Sequence, residues 1–131
     1  MGSYRQYCPI ARASEILAER WNPLIVRNLM FGANTFSELA RGVPAMSRSM
    51  LLKRLGELER AGVLWKARKP DGHGHLYHLT DAGEDLADVI RTLGEWGETW
   101  RSPPSTPIQD LRFGRGARSN STGPPYPRIG R

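Results

Sequence analysis

Between Thr35 and Leu79 the helix and strand signals of this chain stand so close together that only short elements fit between them. Thr35-Phe-Ser-Glu38 is a capping-box pair, so a helix opens there and runs to about Gly42. Pro44-Ala-Met46 forms a turn and Ser47 caps the next helix. Its stripe of Leu51, Leu55 and Leu58 ends at Gly62, the expected stop position. Val63–Lys69 and His75–Leu79 then read as paired strands around the Pro- and Gly-rich turn Pro70-Asp-Gly-His-Gly74. Two helices in tight succession with a basic hairpin behind them form a shape that fits one helix end into a major groove.

The flanking segments supply the frame. Ile10, Ala13, Leu17, Ala18 and Trp21 recur at helical spacing and predict a first helix from about Pro9 to Trp21. Asn22-Pro23 is a cap followed by a first-turn proline, opening a second helix that faces the core with Leu24, Ile25, Leu29 and Met30 and stops at Gly32. Thr80 caps a last helix to about Trp100, striped by Ala82, Leu86, Val89, Leu93, Trp96 and Trp100. That stripe carries more apolar surface than one side of so small a core requires. Leu86, Val89, Leu93, Trp96 and Trp100 are therefore expected to pair with a second copy of the chain. The expected fold is mainly α with a small β-hairpin: a winged helix-turn-helix over residues 1–100, with its last helix at a dimer interface. Residues 101–131 hold six prolines, four glycines and few large apolar side chains, too little to offset ordering entropy, and are expected to be a disordered tail.

Charge is distributed with a direction. The formal net charge of the 131 residues is +6, but residues 101–131 alone carry six arginines against Asp110. From Ser47 to His75 seven bases face three acids, whereas from Asp81 to Trp100 six acids accompany only Arg91. A surface basic on one element and acidic on the next suits a phosphate-binding face. No apolar run approaches the roughly 18 residues of a membrane-spanning helix, and no secretory signal pattern opens the chain. With the single cysteine Cys8, no internal disulfide is available, which suits a reducing cytoplasm.

If the leucine stripe faces inward, helical geometry turns Ser49, Lys53, Gly56 and Arg60 outward. Ser47, Arg48, Ser49, Leu52 and Lys53 then cluster at the end that enters a groove. Arg and Lys can bond guanine edges and Ser can bond bases or phosphate, while Gly56 would let the backbone approach phosphate closely. Arg54, Lys66, Arg68 and Lys69 are expected to hold phosphate or support the docking, with His73 at the hairpin tip. A metal reading of His73, His75 and His78 fails on geometry, because His75 and His78 point to opposite faces of a strand. No nucleophile–base pair, phosphate-cradling glycine loop or metal-ligand motif is visible, so no catalysis, metal or cofactor is expected. Cys8 stands before Pro9 at a helix start, where the dipole favours an anion, and is the redox-sensing candidate. Trp21, Trp96 and Trp100 are candidates to line an effector pocket between subunits.

These residues resemble the HxlR-type family of bacterial winged helix-turn-helix transcription regulators over roughly Cys8 to Trp96. The motifs are Cys8-Pro9; Arg20-Trp21 with Leu24-Ile25 and Leu29; Gly32 then Phe36-x-Glu38-Leu39; Met46-Ser47 then Leu51-x-x-Arg54-Leu55-x-x-Leu58; Ala61-Gly62; and Tyr77-x-Leu79-Thr80-x-x-Gly83. The resemblance implies a homodimer held by the first and last helices on a palindromic double-stranded DNA operator, and for some members an entry-position cysteine that senses quinones, aldehydes or oxidants. The expected function is that of a sequence-specific transcription regulator acting as a repressor. The wing departs from the family pattern with Gly74-His75-Leu76 before the tyrosine. Some relatives continue into a sterol-carrier-like domain, where this chain has its arginine-rich tail. A nonspecific DNA arm and a remnant of a lost domain both fit that tail's composition. Two other readings follow from the residues alone: a sensor whose electrophile or small-molecule effector sets activity, and a nonspecific nucleic-acid binder working through the tail.

Overall fold

A computed structural model describes Ser3, Arg5 and residues 7–101 of the chain. The elements follow in the order α1 (Pro9–Leu17), α2 (Asn22–Met30), α3 (Phe36–Arg41), α4 (Arg48–Arg60), β1 (Leu64–Arg68), β2 (His75–Leu79) and α5 (Asp81–Arg101). The architecture is a winged helix: mostly helical, with one antiparallel hairpin. The tail expected to be disordered lies outside the described residues.

The local signals work as chemistry requires. Thr35 Oγ1 accepts from the Glu38 N–H at 3.2 Å, and its own hydroxyl donates to the Glu38 carboxylate at 3.0 Å. Ser47 Oγ accepts from the Met50 N–H at 3.2 Å, which answers one of the orphan donors of α4. Two helices end in the same way. At α2, Ala33 N–H bonds Asn28 C=O and Gly32 N–H bonds Leu29 C=O; at α4, Val63 bonds Leu58 and Gly62 bonds Glu59. Gly32 (φ +96) and Gly62 (φ +78) take the left-handed turn that this Schellman closure needs.

Two boundaries differ from expectation. α1 stops at Leu17 instead of reaching Trp21, because Ala18–Trp21 turns the chain into α2 before the Pro23 ring would break a continuous helix. Asn22 is fully buried but is not the side-chain cap of α2. Its amide reaches back and donates to Ile16 C=O at 2.8 Å, closing the end of α1 instead.

The core joins Ile25, Val26 and Leu29 of α2 with Leu39, Val43, Leu51, Leu55, Leu58, Val63, Leu64, Tyr77 and Ile90. Trp21, Leu24, Phe36, Met46 and Leu86 pack at its edge. In the hairpin Leu64 opposes Leu79, Lys66 opposes Tyr77 and Arg68 opposes His75. Tyr77 N–H also donates to Asn34 C=O at 2.8 Å, so the segment before α3 lies beside β2 like a short third strand.

α5 is anchored at its first turn. Thr80 N–H donates to Val63 C=O at 3.1 Å, and Thr80 Oγ1 accepts from Gly83 N–H at 3.1 Å while its hydroxyl faces the Gly62 and Val63 carbonyls. Gly83 is buried, and a Cβ there would lie 2.1 Å from Val63 O, so only glycine lets α5 cross the α4–β1 junction this closely. Beyond that turn α5 gives the core Ile90 fully and Leu86 in part. The rest of its apolar stripe faces outward: Val89 is 46%, Leu93 53%, Trp96 58% and Trp100 43% exposed. Ile10 of α1 and Tyr7 before it are also exposed, so Ile10 does not pack inward.

Candidate nucleic-acid interface

The leucine stripe of α4 faces inward as read from the sequence, which fixes the opposite face. Ser47, Arg48, Ser49, Leu52 and Lys53 are all exposed at or near the N-terminal end of α4. The Ser47 and Ser49 hydroxyls lie 3.4 Å apart, forming a small polar step at the helix entry. The Arg48 guanidinium lies 4.5 Å from the centroid of the Phe36 ring, a cation–π contact that holds this flexible arm between α3 and α4. Among the described residues the Lys53 ammonium pairs with no carboxylate, so its charge is free for an anion.

Arg54 behaves differently from its neighbour. It points away from the exposed end and its side chain is only 14% exposed. Nη1 donates to Glu57 at 2.7 Å, and Nη2 lies 3.3 Å from Glu19 in the turn after α1. The sequence reading gave Arg54 either phosphate or a supporting part in docking; in the fold its charge is already held by two carboxylates. Glu57 is buried, and the Arg54 hydrogen bond holds its carboxyl below the ordinary glutamate range against the desolvation that pushes the other way. Arg54 and Glu57 therefore drop out of the surface balance, leaving Arg48, Lys53, Arg60, Lys66 and Arg68 as the exposed bases of α4 and β1.

The expected open backbone at Gly56 is a correction. The Arg60 guanidinium lies over it, 3.4 Å from the position a Cβ would take, so this spot is roofed by an arginine one turn along. The basic strand is two-sided for a simple reason of strand geometry. Lys66 and Arg68 share the face of Tyr77 and His75, whereas Trp65 turns to the other face and stacks on His78 at 4.6 Å between centroids. Lys69 is half-buried, and its N–H donates to Gly74 C=O across the turn. His73 is exposed at the tip, where its N–H donates to the Asp71 carboxylate at 2.8 Å.

The other faces carry the opposite sign. Asp81, Glu84, Asp85 and Asp88 are exposed along the first half of α5, which keeps polyanions off that side. Cys8 is exposed at the N-cap of α1. A recess of about 500 Å³ lies between Leu29–Phe31, Leu79 and Glu84, Ala87 and Arg91 of α5, and Trp21, Trp96 and Trp100 are not among its lining residues. No helix among the described residues is long and apolar enough to cross a membrane, and no three metal-ligating side chains converge among them.

Sequence reasoning missed two contributors. Glu19 lies far from Arg54 in sequence, and only the fold brings them together. Phe36 stood only in the capping-box run and gave no sign of its Arg48 contact, whereas the i, i+4 spacing of Gly56 and Arg60 could have shown that Arg60 covers the gap.

Comparisons with known proteins point to one family. The model of the HxlR-like helix-turn-helix family matches residues 16–105. YvaP of Bacillus subtilis, an uncharacterized HTH-type transcriptional regulator, is 36% identical over 100 residues, which cover 75% of this chain and 93% of YvaP. Mb3122 of Mycobacterium bovis, also an uncharacterized HTH-type transcriptional regulator, is 38% identical over 106 residues, 79% of this chain but only 65% of that longer relative. The reduced form of the transcriptional regulator YodB from B. subtilis superimposes with a TM-score of 0.62 at 31% identity, over 75% of this chain and 98% of YodB. This chain belongs to the HxlR-like helix-turn-helix family, and it is a DNA-binding transcriptional regulator.

Proposed function

We propose that the chain reads a specific, palindromic DNA operator as a homodimer and represses transcription from it by occupying the site. The observation that carries this reading is the exposed cationic and hydroxyl cluster at the N-terminal end of α4, from Ser47 to Lys53, with Lys66 and Arg68 on the hairpin behind it. Arg48 and Lys53 are suited to base edges, Ser47, Ser49 and Leu52 to the groove wall, and Lys66, Arg68, Lys69 and His73 to the flanking phosphates. Arg54 supports the helix from behind. The exposed row Val89, Leu93, Trp96 and Trp100, with Leu86 at its buried edge, supports pairing of two copies, since an apolar strip of this length on a small domain favours burial. A two-fold pair would present two α4 helices to half-sites about one helical turn apart.

Operator affinity tests the reading. The Lys53→Ala/Arg48→Ala double variant should bind the selected operator at least tenfold more weakly than wild type, given about 1–3 kcal/mol for each good base contact. Equal affinity would remove α4 from the interface. Deleting residues 102–131 should leave specific binding intact; its collapse would favour nonspecific binding through the tail.

A second reading concerns control. Cys8 is exposed, and the relative YodB has been crystallised reduced, diamide-treated and quinone-bound. Two Cys8 thiols of a dimer would give two electrons and two protons to diamide and join as one intersubunit disulfide. A Cys8-dependent dimer band on a non-reducing gel supports this; a band that persists in Cys8→Ser excludes it.

A further inference from the structure

Resting on the assignment of α4 as the reading helix, we propose that Glu19 is a positioning residue for sequence recognition: through Arg54 it fixes the rotation of α4 about its axis and so aims Lys53. Arg54 divides its guanidinium between Glu57 at 2.7 Å and Glu19 at 3.3 Å. Glu57 lies three residues further along the same helix, so that bond cannot orient α4 against anything. The Glu19 bond leaves α4 and ends in the Ala18–Trp21 turn, which is itself held by Asn22 N–H to Glu19 C=O and Ala18 N–H to Ser14 C=O. Glu19 is thus a fixed post, and Arg54 is the arm that reaches it.

Lys53 precedes Arg54 directly, so the two side chains leave the helix about 100° apart and must rotate together. With side-chain heads roughly 5 Å from the axis, a rotation of about 20° moves the Lys53 head by nearly 2 Å. That exceeds the range over which a hydrogen bond to a base edge survives. The leucine stripe alone permits small rotations, because apolar contacts are not directional. The two carboxylate bonds of the guanidinium, in contrast, define a direction.

The proposal makes a prediction opposite in sign to simple electrostatics. Removing a carboxylate from a phosphate-binding domain should tighten binding to any duplex. Glu19→Gln should instead weaken binding to the selected operator by about 3- to 30-fold, the range expected for coupling through a packed network. Its binding to random duplex should stay equal or tighten. Glu19→Gln keeps the Arg54–Glu57 bond, so its thermal midpoint should stay close to wild type. In an Arg54→Lys background, where the fork that serves the two carboxylates from two separate nitrogens is gone, Glu19→Gln should change operator affinity less than twofold.

Operator binding by Glu19→Gln equal to or tighter than wild type overturns the proposal, as does an equal loss on operator and random duplex. The Lys53→Ala/Arg48→Ala variant measured beside it separates two failures. If that variant also binds the operator like wild type, the assignment of α4 as reader falls and this inference with it. If it is weakened while Glu19→Gln is not, only the role of Glu19 falls.

Discussion

Replacing Gly83 by alanine should destabilise the domain although it puts a better helix former into a helix. A Cβ at this position would stand 2.1 Å from the Val63 carbonyl oxygen, 2.9 Å from Leu79 Cδ2 and 3.1 Å from the Val63 carbonyl carbon. Carbon–oxygen contacts normally begin near 3.3 Å, so α5 and the root of β1 must separate by about 1 Å. The nearest atom is backbone and cannot rotate away. Overpacking of this kind costs about 1–3 kcal/mol, and loosening the Thr80 N–H bond to the same carbonyl adds about 1 kcal/mol. The helical preference of alanine returns at most about 1 kcal/mol. The net loss of roughly 1–3 kcal/mol corresponds to a fall of about 4–20 °C in the thermal midpoint of a domain this size. Far-UV circular dichroism at fixed protein concentration would measure it, because pairing would make the midpoint concentration-dependent. A midpoint equal to or above wild type would mean that the junction of α4, β1 and α5 is looser than described.

The pairing face is tested by Leu93→Asp, which puts a charge in the middle of the exposed row of α5: sedimentation should give a dimer for wild type and a monomer for the variant, and equal masses would reject the row as the interface. The depressed carboxyl of Glu57 predicts a pH dependence: its contribution is present above the unfolded glutamate value of about 4.3 and is lost as pH falls through the lower folded value. Thermal midpoints of wild type and Glu57→Gln should therefore differ at pH 7 and converge in acid; a constant gap would deny the Arg54 bond its part. Thr80→Val removes the hydroxyl that caps α5 and should destabilise by about 1–2 kcal/mol in denaturant unfolding, while no change would show the cap to be dispensable.

What could be read in the sequence were the features set by local rules. Thr35, Ser47 and Thr80 cap because their hydroxyls sit within three residues of the amide they serve. Gly32 and Gly62 stop helices because the backbone there must turn left-handed. The inward stripe Leu51, Leu55 and Leu58 follows from period alone, and with it the exposed face of α4. Features that depend on long-range contact were hidden. Nothing near Asn22 signals that its amide would close α1 instead of opening α2, and nothing near Arg54 names Glu19. Helical geometry already turned Lys53 outward, but the hold of two carboxylates on Arg54 beside it depends on the fold. The same limit applied to α1, where Ile10 has helical spacing but faces away from the core.

The central claim is that the N-terminal end of α4 reads a DNA sequence on behalf of a two-fold pair. The most direct test is to sequence the duplexes that the purified protein retains from a random pool, with the Lys53→Ala/Arg48→Ala variant run in parallel. The account predicts an enriched inverted repeat whose half-site centres lie about 10–10.5 base pairs apart, or a multiple of that, with enrichment lost or altered in the variant. A pool left unenriched by the wild type, or the same motif enriched equally by both proteins, would contradict it.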